Sequence, residues 1–156
     1  MDNLWKENLF LRLYTLLKIP ALAFITPKIV ESSSQRSVVR VPLGYRTKNH
    51  LNVMYFGCLS MGAELCIGVV GMQAIRKSGK RIDLLFKHFS AEFLRRAEGD
   101  VHFVCEEVQD IQKFVLAAAQ STDRSEKAFS GYAVVPEKGP EPVMRFSLVM
   151  SVKCRS

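Results

Sequence analysis

Glu64 is the one formally charged residue between His50 and Arg76, inside the run NHLNVMYFGCLSMGAELCIGVVGMQAI at residues 49–75. An ionised carboxylate buried without partners is costly, and such groups concentrate at functional sites. In apolar surroundings a carboxylate can serve as general base or nucleophile, its pKa tuned by the wall around it. Gly57, Gly62, Gly68 and Gly71 interrupt the same run. Glycine costs a helix about 1 kcal/mol against alanine, so four of them imply neighbours packed close to the backbone. Cys58 and Cys66 are the nearest nucleophiles of another kind, but buried thiols in apolar helices are usually inert. His50 adjoins the run, whereas His88 and His102 fall in strand-like segments.

The elements that must position Glu64 can be read from pattern. Residues 49–75 are apolar nearly all round and long enough for a helix of several turns, so that helix should be buried on most sides. The run is also long enough to span a bilayer, but the flanking chain reads as amphipathic strands that need something to cover. The expectation is therefore a buried helix and no transmembrane segment. Residues 2–18 form an amphipathic helix, ended or kinked by Pro20, in the role of a docking helix or lid; a membrane-surface helix is the alternative, against which stands a polar face that is only weakly basic.

Residues 29–33 and 37–42 are short strands around a Ser-rich turn, and residues 43–48 a polar connection. After Gly79 the chain turns to strands. Residues 82–94 place Leu85, Phe89, Ala91 and Phe93 on one side, and Glu98-Gly99-Asp100 makes a hairpin turn into residues 101–105. Residues 106–121 return to helical spacing. Residues 127–135 and 143–153 are two more strands, joined by PEKGPEP. Short turns between strands argue for an antiparallel sheet, and the apolar helix is what that sheet must cover. The expected class is α+β.

Composition narrows the function. The 156 residues suit a single domain, with 48% hydrophobic and 24% charged residues, the balance of a folded protein. The net charge of +7 favours anionic partners, although any one basic cluster can be plain solvated surface. No aromatic-basic motif accompanies that charge, so nucleic acid is not expected. The four cysteines are widely spaced without Cys-x-x-Cys or a leading signal peptide, which reads as reduced thiols in a cytoplasmic protein. The histidines supply no ligand cluster for zinc, so neither metal nor cofactor is expected.

An Asn, a loop, then an aromatic-x-Gly with an acid seven residues further on resembles the hotdog-fold thioesterases. Within them the chain looks most like a branch of uncharacterised hotdog-like proteins, to which EFLRRAEGDVHF at residues 92–103 is also similar. The resemblance covers roughly residues 38–153 and leaves residues 1–27 as an N-terminal helical extension. It implies a hotdog fold: an antiparallel sheet wrapped around one central helix. The family's His-Gly-Gly motif is matched only at its second Gly, Gly57. Tyr55 stands for the His and Phe56 for the first Gly, while Glu64 falls at the acid position and Asn49 at that of the polar amide.

What the resemblance implies is hydrolysis of an acyl-CoA or acyl-carrier thioester. Glu64 would be base or nucleophile, the amides around Gly57 would clamp the carbonyl oxygen, and Asn49 would orient water or carbonyl. The Tyr55 hydroxyl would stand in for the imidazole as donor. His50, Asn52, Phe56 and Cys58 would border the substrate, and Arg95 and Arg96 would meet coenzyme A phosphates. The resemblance also implies at least a homodimer with sites between subunits. Open alternatives are a Glu64 satisfied by Asn52, by backbone or by a neighbouring subunit, a Gly57 needed only for packing, and an Asn49 acting as cap or turn residue. At the level of function they are a non-catalytic acyl- or lipid-binding module, or a dehydratase or hydratase of the same fold.

Overall fold

The computed structural model describes residues 3–155. Met1, Asp2 and Ser156 lie outside the described residues, and with them the expected helix start at Asp2. The first helix is α1 (Leu4–Lys18), and Pro20, at the first position of a second short helix, α2 (Pro20–Phe24), separates the two. Strands β1 (Lys28–Ser32) and β2 (Ser37–Val41) follow, then the long helix α3 (Phe56–Ser78) and β3 (Ile82–Phe93). The chain ends with β4 (Val101–Cys105), α4 (Val108–Ala118), β5 (Arg124–Val134) and β6 (Pro142–Cys154).

The six strands form one antiparallel sheet in the order β1-β2-β4-β5-β6-β3, and α3 packs against β2, β3, β4, β5 and β6. The sheet is thus curled about α3, whose apolar surface explains the arrangement: Ala63, Cys66, Ile67 and Val70 are sealed from solvent against Phe103, Phe129, Met144 and Met150. Two glycines allow the close approach. A Cβ on Gly62 would lie 2.2 Å from the Phe103 ring, and one on Gly71 would lie 2.6 Å from Leu84. Gly79 closes α3 in the left-handed conformation.

Three expectations need correction. The apolar run is not helical from residue 49: α3 starts at Phe56, because residues 49–55 fold back as a turn in which Lys48 pairs with Met54 and Asn52 is left-handed. Glu98-Gly99-Asp100 is not a hairpin turn. β3 pairs with β6 along nearly its whole length, while β4 lies between β2 and β5, so residues 94–100 cross from one side of the sheet to the other. Leu85 does not share a face with Phe89, Ala91 and Phe93, because a bulge at Lys87 shifts the alternation by one residue. Phe86 stands opposite Met150 before the bulge and Phe89 opposite Leu148 after it, so both aromatics face α3.

The two sheet edges are treated differently. β1 is short and bulged, and Asn8 of α1 seals it: its Oδ1 accepts the Ile29 N–H and its Nδ2 donates to the Ile29 carbonyl, both at 2.8 Å. The outer edge of β3 is twelve residues long, carries exposed Leu85, Phe89 and Phe93, and is unpaired among the described residues. Such an edge is a template for another strand.

Replacing Gly62 by Ala should push against the buried Phe103 ring and cost about 1–3 kcal/mol in urea unfolding. Gly68→Ala, whose added methyl would meet Phe86 at an ordinary 3.7 Å, should instead be neutral or stabilise by up to about 1 kcal/mol.

Candidate functional site

Two cavities flank α3. The first, about 510 Å³, lies between α1, α3 and β3. Phe10, Leu11 and Tyr14 of α1 form one wall, Met61, Leu65 and Met72 of α3 a second, and Phe86 and Phe89 of β3 a third. Glu64 lines this cavity. It is half-buried and makes no hydrogen bond or ion pair among the described residues, and its burial raises the carboxyl pKa above the ordinary carboxylate range. Ser60, one turn earlier on the same wall, donates its hydroxyl to the Phe56 carbonyl at 3.0 Å. Toward the end of α3 the wall turns polar. Gln73 donates to Glu7 at 3.2 Å and to Ser32 at 3.3 Å, and Arg76 pairs with Glu7 at 3.3 Å while stacking on Phe10.

The second cavity, about 550 Å³, opens at the start of α3 and is lined by Asn49, His50, Tyr55, Phe56, Arg95 and Arg96. A network in the preceding loop builds it. Buried Thr47 donates its hydroxyl to the Pro42 carbonyl at 2.6 Å and accepts the Tyr55 N–H on its own carbonyl at 2.8 Å. Asp100 accepts the Leu43 N–H at 2.9 Å and pairs with Arg40, whose guanidinium holds the Asp100 carboxyl below its usual range. The loop is therefore tied to β2 and to the start of β4. Asn49 is the turn's organiser: its Oδ1 accepts the N–H groups of Leu51 (2.8 Å) and Val53 (3.4 Å).

Asn52 accepts a hydrogen bond from Lys48 and is exposed, so it is not a partner of Glu64. Tyr55 precedes the first turn of α3 without capping it, and the amides of Phe56, Gly57 and Cys58 have no acceptor among the described residues. The Tyr55 ring lies over Gly57, where a Cβ would come within 2.3 Å of it. Cys58 is buried, and that burial pushes its thiol pKa up, which disfavours a thiolate. Arg95 pairs with Glu141 at 2.6 Å, and Arg96 is exposed.

The residues picked from sequence thus divide. Asn49, His50, Tyr55, Phe56, Arg95 and Arg96 gather in one cavity, and Glu64 looks into the other. Seven residues of helix separate Gly57 from Glu64, about 10 Å along the axis. Ser60, Met61 and the inner face of α1 were not anticipated, although Ser60 sits four residues before Glu64, on the same helical face. Asp100, expected from sequence as a hairpin-turn residue, instead anchors the loop through the Leu43 N–H and Arg40. Among the described residues, no group of three His, Cys, Asp or Glu could hold a metal ion.

A family model described as a domain of unknown function, DUF4442, matches residues 7–137. The chain belongs to this family. Because the DUF4442 match begins inside α1, the N-terminal helix set outside the resemblance is part of the family's own span. No curated protein matches the chain. Solved structures resemble it along nearly its full length. A candidate thioesterase from Shewanella oneidensis is 12% identical with TM-score 0.81, over 94% of this chain and 96% of that one. A Pseudomonas aeruginosa protein of unknown function, described as a probable thioesterase, is 21% identical with TM-score 0.74, over 92% and 93%. A thioesterase from Haemophilus influenzae is 15% identical with TM-score 0.68, over 91% and 88%. At such identities the likeness concerns the fold, and this DUF4442 chain has the hotdog fold expected from its sequence.

The environment of Glu64 has a pH signature. A carboxyl whose folded-state pKa lies above its unfolded value binds more protons when folded, so stability falls as pH rises through that window. Urea unfolding of wild type and Glu64→Gln at about pH 4 and about pH 8 should show the variant gaining relative to wild type at the higher pH. Parallel pH profiles would mean that the carboxylate is not penalised by its surroundings.

Proposed function

We propose that this chain is a thioester hydrolase acting on acyl-CoA or an acyl-carrier thioester, with Glu64 as general base or nucleophile. The observation that carries the reading is the half-buried Glu64 carboxylate, unpartnered among the described residues, on the wall of a mostly apolar cavity. As a base it would take a proton from water as that water attacks the thioester carbon. The C–S bond then breaks and the thiol leaves carrying a proton. As a nucleophile it would form a mixed anhydride that water opens. The unpaired amides at the start of α3, around Gly57, would hold the oxyanion, with the Tyr55 hydroxyl as a further donor and Asn49 presenting its side-chain NH₂. His50 and Phe56, which line the cavity at the helix start, would border the thioester, and Arg95 and Arg96 would meet the phosphates of the carrier, whereas Asn52 and Cys58 line neither cavity.

The two halves of this machinery line separate cavities of one chain, which favours a homodimer. Antiparallel pairing of two β3 edges about a two-fold axis sets the Phe93 end of one strand beside the Leu85 end of the other. The cavity at the helix start of one subunit, which includes Phe93, then meets the partner's Glu64 cavity, which includes Leu85. The reading is of a one-domain cytoplasmic protein, with α3 as its core helix.

The second reading, a non-catalytic acyl-binding module, is favoured by the Tyr55 ring over Gly57 and by the commitment of the Asn49 oxygen to its turn. An acyl-CoA panel separates the two. Hydrolysis that drops about 10²–10⁴-fold in kcat/KM for Glu64→Gln supports the enzyme. Equally inert wild type and variant that still bind acyl-CoA support the module. Light scattering should give twice the chain mass, falling toward one chain for Phe89→Asp with Phe93→Asp. A stable wild-type monomer would remove the shared site.

A further inference from the structure

The inner face of α1 is accounted for: Leu11 and Thr15 are buried, Asn8 seals β1, Glu7 is held by Gln73 and Arg76, and Phe10 and Tyr14 wall the Glu64 cavity. The outer face is not. Trp5 is 65% exposed, Leu16 62% and Leu17 74%, and Leu9 and Leu13 are about half exposed. At about 100° per residue, Trp5, Leu9, Leu13, Leu16 and Leu17 fall in one stripe along the helix. Phe24 of α2, 56% exposed, adds to this exposed apolar surface.

The charges around the stripe are of one sign. Lys6 lies within the stripe against the Trp5 ring, Arg12 borders it and Arg46 sits over the Phe24 ring, while Lys18 falls on the far side of the helix near the azimuth of Glu7. The single acid among the described residues of α1, Glu7, is turned inward and engaged. A second copy of this chain would bring the same cations against themselves, an isologous contact with like charges opposed. An anionic lipid surface matches both features: the stripe enters the boundary between headgroups and acyl chains, and the cations meet the phosphates.

We propose that α1 is an in-plane membrane-docking helix, which seats the folded protein on an anionic bilayer through Trp5, Leu9, Leu13, Leu16 and Leu17, with Lys6, Arg12 and Arg46 on the lipid phosphates. The opposite face of the same helix walls the Glu64 cavity, so docking would bring that cavity within one helix diameter of the lipid. The proposal stands independently of thioester hydrolysis.

Trp5 is the only tryptophan in the chain and reports on the contact by itself. The full chain should co-sediment with phosphatidylglycerol–phosphatidylcholine vesicles, with a blue shift of Trp5 emission, and bind pure phosphatidylcholine at least about tenfold more weakly. High salt should release it from the anionic vesicles. Leu13→Glu with Leu17→Glu, both at exposed positions, should abolish sedimentation while keeping the circular dichroism and melting temperature of wild type. Lys6→Glu with Arg12→Glu should remove the preference for anionic lipid. Two results would overturn the proposal. One is a wild type that stays in the supernatant with unshifted emission. The other is a Leu13→Glu/Leu17→Glu variant that binds vesicles as wild type does, or changes oligomer mass in light scattering, which would assign the stripe to a protein contact.

Discussion

The structure depends on how closely α3 can approach the sheet. Gly62 brings the helix backbone onto the Phe103 ring, and Gly71, half a rotation round the helix, brings it onto Leu84 of β3; a side chain at either place would lift it away. On the Gly62 side the helix is sealed against the sheet, whereas on the other side α1 and β3 close on it only toward Gly71 and leave a cavity beside Glu64. Glu64 sits on the loose side. Its half-burial follows from the asymmetry: on the gripped side a carboxylate would be sealed among Ile67, Val70 and Phe103 with nothing to satisfy it.

The same asymmetry governs the rest of the molecule. The sheet needs two edges, and α1 closes one of them with the Asn8 amide, which imitates a neighbouring strand at Ile29. With α1 committed there, the twelve-residue β3 edge stays open, and the bulge at Lys87 turns Phe89 and Phe93 toward the cavities rather than to the outer face. The loop before α3 is held by Thr47 and Asp100, so Asn49, Tyr55 and Phe56 occupy fixed places at the helix start. Each contact is local, yet together they leave a carboxylate and a set of unpaired amides on the same helix, about 10 Å apart.

Much of this architecture is legible in the residues themselves. The apolar run carrying Glu64 announces a buried helix, and the alternation from Met144 to Val152 announces β6. Strand order is not legible, because the connection at Glu98-Gly99-Asp100 has the composition of a hairpin, and only long-range pairing sends β4 to β2. The face of Leu85 was misassigned because a bulge leaves no mark in the hydrophobic pattern. The start of α3 was blurred since residues 51–55 are as apolar as the helix they precede. The division of the candidate site between two cavities could not be read from spacing, which sets the distance between Gly57 and Glu64 but not what α1 and β3 place beside them.

The central claim is that Glu64 titrates in an apolar wall without a partner. Carboxyl carbon NMR of protein labelled at glutamate, with Glu64→Gln to assign the resonance, measures this directly. The account predicts a midpoint for Glu64 above the ordinary carboxylate range and shifted further up when an acyl-chain ligand fills the cavity. A midpoint at or below the ordinary value, indifferent to such a ligand, would contradict it.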